Sequence, residues 1–128
     1  MLVKRLSKIT PFVAGDGSLL IEILHPRLKT ADVRFSLAHA TVKPKQKTRQ
    51  HVLEHAEVYY ILSGRGLMHV NDETEEISKD DTIYIPPGHS QFIENTAQED
   101  IEFLCIVDPA WEPGIEHVIN GEQKDTRR

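Results

Sequence analysis

The chain has 128 residues, of which 39% are hydrophobic and 27% are charged, and its formal net charge is -5 at neutral pH. This length suits one domain with a substantial core and is short for two ordinary domains. The dispersed acidic charge argues against nucleic acid as a partner, and the basic cluster at residues 43–49 is interpreted as a solvated loop.

The beginning of the sequence and its cysteine content indicate a cytoplasmic protein. Residues 1–13 interrupt their apolar side chains with Lys and Arg, whereas a signal peptide needs a continuous apolar stretch. No stretch of sequence is apolar for long enough to predict a membrane span. Cys105 is the single cysteine, which excludes an internal disulfide and suits a reducing compartment.

Short apolar runs, separated by turn-forming residues, recur along the chain and predict strands. In order they are LLIEIL, VRFSLAHATV, VYYIL, GLMHV, TIYIPP, QFIEN and IEFLCIV, with turns such as GDG, GRG, NDE, KDD and PPG between them. No run has a helical stripe. We therefore predict a single all-β domain over residues 1–128, built as a sandwich or barrel.

Two of these predicted strands, residues 57–62 and 101–107, are apolar on both faces. In an antiparallel strand with one solvated face, apolar and polar residues would alternate instead. A second subunit is the simplest cover for the extra apolar face, so we expect a homodimer. The segment from Pro109 onward lacks strand patterning, and we expect it to wrap the barrel through Trp111 and end in a frayed tail.

Ionisable side chains stand immediately before the strand at residues 58–62. In an extended chain His51, Leu53 and His55 share one face with Glu57, because residues two apart point the same way. A second segment, residues 80–95, has a rigid Pro-Pro-Gly turn followed by Gln91 at the start of a strand.

These two segments resemble the paired motifs of the cupin superfamily, whose first motif is G(X)5HXH(X)3,4E(X)6G. Over residues 45–64, His51, Glu57 and Gly64 occupy motif positions at the family spacing. Lys45 stands where the family has its first Gly, and Leu53 stands where it has its second His.

The second cupin motif is G(X)5PXG(X)2H(X)3N. Over residues 80–95, Pro86, Gly88 and Asn95 match, whereas Asp80 replaces the leading Gly and Gln91 occupies the His position. The resemblance implies a cupin fold, a β-barrel of two packed antiparallel sheets that holds a metal ion or ligand inside.

The usual cupin ligand set is three His and one Glu, and carried over residue by residue it becomes His51, Glu57 and Gln91. An imidazole nitrogen, a carboxylate and an amide oxygen can bind a divalent transition metal such as Zn, Mn, Fe or Ni. Gln91 is a weak ligand, and hydrogen bonding inside the barrel is its alternative role. His55 is interpreted as solvated, with substitution for the missing His as the alternative.

Other side chains are candidates for the pocket lining: His39, Leu53, Tyr59, Phe103 and Cys105. Each of these side chains could instead be part of the hydrophobic core. For Cys105 this is the usual behaviour, because a buried thiol acts as a small hydrophobic group. His39 is either a satisfied core histidine or an acid–base group in the pocket.

The resemblance leads to two functional hypotheses. The first is a metal-dependent enzyme acting on a small polar metabolite, with isomerisation, decarboxylation and oxygenation left open. Because Glu57 is the one carboxylate in the implied ligand set, a bound ion would leave net positive charge and favour an anionic metabolite. The second hypothesis is a small-molecule-binding or sensing barrel without catalysis, in which Leu53 and Gln91 mark lost ligands.

Overall fold

The computed structural model describes residues 1–119 as a sandwich of two antiparallel sheets. Sheet A has the strand order β1-β2-β3-β10-β5-β8, and sheet B has the order β11-β4-β9-β6-β7. The strands are β1 (Phe12–Val13), β2 (Leu19–Leu24), β3 (Ser36–Val42), β4 (His51–Leu53), β5 (Ala56–Ser63), β6 (Arg65–Val70), β7 (Glu73–Ser78), β8 (Thr82–Ile85), β9 (Ser90–Glu94), β10 (Ile101–Asp108) and β11 (Glu116–Val118).

The remaining regular structure of residues 1–119 is three short 3-10 helices, Leu6–Lys8, Pro26–Leu28 and Pro113–Ile115. The all-β prediction is confirmed, and the barrel of two packed antiparallel sheets is the observed architecture. Within residues 1–119, no helix has the length and apolar character needed to cross a membrane.

Alternation along the strands builds the core between the two sheets. In β10, Ile101 and Phe103 are buried while their neighbours are partly exposed, and β5 alternates in the same way. Residues two apart on a strand share a face, so each sheet presents one apolar inner surface. The most completely buried large side chains are Ile61, Ile85, Ile93, Ile101 and Phe103.

Part of the outer face of sheet A, on β5, β8 and β10, is also apolar. Tyr60 and Ile106 are each 37% exposed, and Tyr84 on the edge strand β8 is 61% exposed. These side chains belong to neighbouring strands, because Ile106 pairs with Val58 in β5 and Val58 pairs with Tyr84. This apolar outer surface lies on the strands at residues 57–62 and 101–107, which the sequence predicted to be apolar on both faces.

Residues 109–119, which we call the C-terminal strap, return across the open end of the sandwich. Trp111 and Ile115 pack with Leu53 and Val107 in a small second apolar cluster. His25 Nε2 lies 2.7 Å from the Trp111 carbonyl oxygen, which ties the strap to the loop after β2. The expected wrap through Trp111 corresponds to this segment, whereas the frayed tail that we expected at residues 120–128 lies outside the described residues.

Tight turns explain several motif positions. Gly64 has a φ of 86°, and a Cβ there would collide with the Asp100 carbonyl oxygen. Gly88 has a φ of 81°. Lys45 and Asp80, which replace the family glycines, also have positive φ values of 64° and 73°. The turns keep the backbone conformation that glycine adopts most readily, although the side chains have changed.

Candidate functional site

His51 and Gln91 face each other on neighbouring strands of sheet B. They are direct partners in the β4–β9 ladder, and both side chains are at most 2% exposed. Each lies at an inward position of its strand, with Leu53 and Ile93 following on the same faces. The ladder therefore brings the first and second sequence motifs together inside the sandwich.

Glu57 comes from the opposite sheet. β4 ends at Leu53 and β5 begins at Ala56 in sheet A, so the chain crosses between sheets at residues 54–55. We expected the side chains from His51 through Glu57 at every second position to share one face. That expectation is wrong for His55, whose Nδ1 lies 2.7 Å from the Pro109 carbonyl oxygen. His55 does not line the cavity described below, so it does not replace the missing histidine.

One ring nitrogen of His51 is engaged by the backbone, which directs the other toward the cavity. Nδ1 lies 2.9 Å from the Arg49 carbonyl oxygen and therefore carries the proton of the neutral ring. Nε2 lies 3.8 Å from Glu116 Oε2. A metal-binding histidine is typically oriented by such a backbone hydrogen bond, because it fixes the tautomer and frees Nε2.

Glu57 and Gln91 carry polar atoms with no partner. The Tyr59 hydroxyl donates to Gln91 Oε1 at 3.0 Å, which turns the amide nitrogen toward Glu57. The Gln91 amide lowers the pKa of the Glu57 carboxyl, but the distance and angle between the two groups do not make a hydrogen bond. Glu57 Oε1 and Gln91 Nε2 are therefore buried and unpartnered. Buried polar groups without partners are uncommon and indicate a missing ligand or solvent.

Burial and neighbouring carboxylates together determine the pKa values of Glu57 and His51. Burial raises the pKa of Glu57 from 4.5 to about 7, against the opposing effect of His51. Burial lowers the pKa of His51, but the charges of Asp16, Glu57 and Glu116 outweigh it and the pKa is raised. Both groups therefore hold a proton more tightly than they would in water.

The cavity next to this pair is small and acidic. Its volume is about 50 Å³, which is room for roughly three to five water-sized groups at about 10–15 Å³ each. Within residues 1–119, no Lys or Arg lines it. Its walls are formed by Ala14, Asp16, Ser18, Leu20, Glu22, Ser36, Ala38, His51, Leu53, Glu57, Tyr59, Phe103, Cys105, Val107, Trp111 and Glu116.

The pocket-lining candidates from the sequence divide into two groups. Leu53, Tyr59, Phe103 and Cys105 belong to the cavity wall, and Phe103 packs against Tyr59 with ring centroids 4.5 Å apart. His39 does not line the cavity. It lies between inward-facing Ala38 and Ala40 on β3, so its side chain is on the other face, where Nε2 is 3.0 Å from Glu102 Oε1.

Sequence reasoning missed the additional carboxylates, which change the charge of the pocket. Asp16 comes from the turn before β2, Glu22 from β2 and Glu116 from the strap. Glu22 forms an ion pair with Arg27, and the other two influence His51 directly. Glu57 is therefore not the only acid in the cavity. The short segment IEHV at residues 115–118 does not alternate apolar with polar residues, so local patterning did not place Glu116.

The atoms that could hold a divalent ion are His51 Nε2 and the unpartnered atoms of Glu57 and Gln91, rather than a cluster of acidic side chains. Among residues 1–119, no three His, Cys, Asp or Glu side chains converge closely enough to hold an ion. His51 offers Nε2 and Glu57 offers an unpartnered oxygen. Rotating the Gln91 amide by half a turn would exchange the positions of its nitrogen and oxygen. The oxygen would then face Glu57, and the nitrogen would face the Tyr59 hydroxyl.

The family model described as a cupin domain matches residues 38–107, which is more than half of the chain and includes both motifs. The chain is a cupin. This cupin is 43% identical over 105 residues to an uncharacterized protein of Methanocaldococcus jannaschii, covering 81% of the chain and 83% of that protein. It is 33% identical over 114 residues to an oxalate-binding protein of Thermotoga maritima, covering 83% of the chain and 93% of that protein.

Solved structures show the same fold. A crystal structure described as a predicted oxalate decarboxylase of Thermotoga maritima matches with a TM-score of 0.72 at 29% identity, covering 83% of this cupin and 97% of that chain. The polyketide cyclase RemF of Streptomyces resistomycificus matches with a TM-score of 0.77 at 22% identity, covering 96% and 89%. The second likeness concerns the fold alone.

Proposed function

We propose that this cupin is a metal-dependent protein that binds and acts on a small carboxylate-bearing metabolite. His51, Glu57 and Gln91 would hold a divalent transition metal such as Zn, Mn, Fe or Ni. The observation that carries the proposal is the pair of unpartnered atoms, Glu57 Oε1 and Gln91 Nε2, buried beside His51.

Each residue has a distinct role toward the ion. His51 provides Nε2, with the Arg49 carbonyl holding the ring in place. Glu57 provides the negative charge that a cation stabilises, so the ion would favour its ionised form. Gln91 would turn its amide oxygen inward, and the Tyr59 hydroxyl would then accept from the amide nitrogen. When bound, such an ion supplies a Lewis acid that polarises a carbonyl or carboxyl group.

The ligand class is supported by the size of the cavity and by the name of a relative, because the charge of the cavity itself opposes an anion. Asp16, Glu57 and Glu116 repel an anion, and no cationic side chain of residues 1–119 lines the wall. An anionic metabolite therefore needs the metal in place before it binds. The name of the Thermotoga maritima relative, an oxalate-binding protein, supports a small carboxylate as the ligand. A cavity of about 50 Å³ favours a molecule of that size.

The test measures metal uptake by protein that was purified in chelator and dialysed. We expect one equivalent of Co²⁺ or Mn²⁺ by elemental analysis, and visible Co²⁺ absorption bands that report coordination. Glu57→Gln keeps the shape and removes the charge, so it should weaken metal affinity at least about tenfold. Glu75→Gln, on the exposed face of β7, is the matched control. Wild-type protein that takes up no transition metal would refute the proposal.

A binding or sensing barrel without catalysis is the second candidate. The observation in its favour is Leu53, which puts an apolar side chain in the cavity wall at the position of the second family histidine. The two candidates differ in metal uptake and in turnover, because in the binding barrel Leu53 and Gln91 mark lost metal ligands and no catalysis occurs. Unchanged ligand recovered after prolonged incubation with protein and metal would favour the binding barrel.

A further inference from the structure

Glu116 in the C-terminal strap lies where it can contact a ligand in the cavity. It is the direct ladder partner of Leu53, so β11 delivers a carboxylate beside the position where the family motif has histidine. Its side chain is 11% exposed and lines the cavity. Glu116 comes from outside both sequence motifs.

The two oxygens of Glu116 have different surroundings. Trp111 Nε1 donates to Oε1 at 3.2 Å. Oε2 lies 3.8 Å from His51 Nε2, beyond hydrogen-bond distance but next to the donor atom proposed for the metal. The tryptophan thus positions the carboxylate, and its second oxygen borders the space that a ligand on the ion would occupy.

We propose that Glu116 sets ligand specificity, selecting a small monocarboxylate with a hydroxyl or ammonium group over a dicarboxylate. This inference rests on the proposed function, because the ligand carboxylate has to bind the ion. The other end of the ligand then meets Glu116 Oε2. A hydroxyl or ammonium group donates a charge-assisted hydrogen bond to that oxygen. A second carboxylate meets like charge in a buried cavity, where the repulsion is strong.

Asp16 supports the same selection. Its Oδ1 accepts hydrogen bonds from the Ser18 backbone nitrogen at 2.9 Å and from the Ser18 hydroxyl at 2.7 Å, which hold the carboxylate in the cavity wall. Asp16 and Glu116 both influence His51 and Glu57, so their charges act on the same small space. A dicarboxylate would face both.

The experiment compares glycolate, glycine and oxalate, which have similar sizes and differ in the group opposite the first carboxylate. Each is titrated into Co²⁺-loaded protein, with calorimetry giving the dissociation constant and Co²⁺ absorption reporting binding at the metal. Gel filtration followed by elemental analysis checks that oxalate has not removed the ion. We expect glycolate or glycine to bind wild-type protein at least about tenfold more tightly than oxalate, and the two arms distinguish hydroxyl from ammonium.

Glu116→Gln tests the assignment, because glutamine keeps an acceptor oxygen for Trp111 and removes the charge. We expect it to reduce the preference over oxalate at least about tenfold, with metal uptake retained. Glu112→Gln makes the same change at an exposed site in the strap and should leave the preference unaltered.

The outcomes separate the two proposals. Wild-type protein that holds Co²⁺ but binds oxalate as tightly as glycolate and glycine, or binds none of the three, overturns the role of Glu116 and leaves the metal site standing. An unchanged preference in Glu116→Gln overturns it too. Absence of metal uptake by wild-type protein refutes the proposed function and the inference with it.

Discussion

The Tyr59 hydroxyl donates a hydrogen bond to Gln91 Oε1 across the interior, joining β5 of sheet A to β9 of sheet B. Both side chains are at most 2% exposed. This bond determines which end of the Gln91 amide faces Glu57. It therefore links the stability of the metal-free protein to the orientation of a proposed metal ligand.

Tyr59→Phe should destabilise the metal-free protein by about 1–3 kcal/mol, because the variant leaves Gln91 Oε1 buried without a donor. Urea unfolding of chelator-treated protein gives the change in the free energy of unfolding. Tyr84→Phe removes the same hydroxyl from a tyrosine that is 61% exposed and should change stability little. Equal effects of the two substitutions would contradict the importance of the buried bond.

The metal-free protein should become less stable as the pH rises from about 5 to about 8. The folded pKa of Glu57 is about 7, above its usual value of 4.5, so the folded state holds the proton more tightly than the unfolded state. This contribution is fully present below about pH 4.5 and is lost as the pH rises through 7. The raised pKa of His51 acts in the same direction.

Unfolding free energies measured across that pH range would test the origin of the slope. Glu57→Gln removes the ionisable carboxyl and should flatten the dependence, whereas Glu75→Gln should keep the wild-type slope. Parallel pH profiles for wild-type protein and Glu57→Gln would rule out Glu57 as the source.

Lys45→Gly should stabilise the protein by about 1 kcal/mol, because a non-glycine residue with positive φ is strained and glycine is not. Lys45 has a φ of 64° at the position where the cupin motif has glycine. Gln46→Gly, one residue further along the same exposed turn, should destabilise slightly through the greater flexibility of the unfolded chain. Thermal unfolding of the two variants gives the comparison, and a destabilised Lys45→Gly would show that its side chain matters more than its backbone.

The apolar outer face of sheet A should make the protein a homodimer. Light scattering at micromolar concentration should give twice the chain mass of 14.6 kDa. Tyr84→Lys or Ile106→Lys places a charge on that face and should produce the monomer. Thr74→Lys introduces the same charge on β7 of sheet B, away from that face, and serves as the control. A wild-type mass of 14.6 kDa would contradict the dimer.

Strand alternation allowed much of the fold to be predicted. The parity of β5 places Tyr59 in the cavity wall and Tyr60 on the opposite face, where its hydroxyl donates to Asp80. This parity is a matter of local periodicity, which the sequence displays directly. The pairing of His51 with Gln91 was implied by the cupin resemblance instead.

Other features depend on where the chain leaves one sheet for the other. A two-residue crossing between β4 and β5 puts His55 outside the cavity and Glu57 opposite His51, and local periodicity does not reveal such a crossing. In the structure, the His39 side chain lies on the face of sheet A that carries Glu102 and not in the cavity. Glu116 reaches the site through a pairing between β11 and β4, which are far apart in sequence.

The strap that carries Trp111 and Glu116 follows every other cavity-lining residue in chain order. During synthesis on the ribosome, His51, Glu57 and Gln91 emerge before the strap that completes the cavity wall. If the proposed site binds an ion, the ion could enter while the cavity is still open at this side, and docking of Trp111 would then slow its exchange. Any metal in purified protein would then reflect the ions available in the cell while the chain was being made, in addition to the equilibrium preference of the finished site.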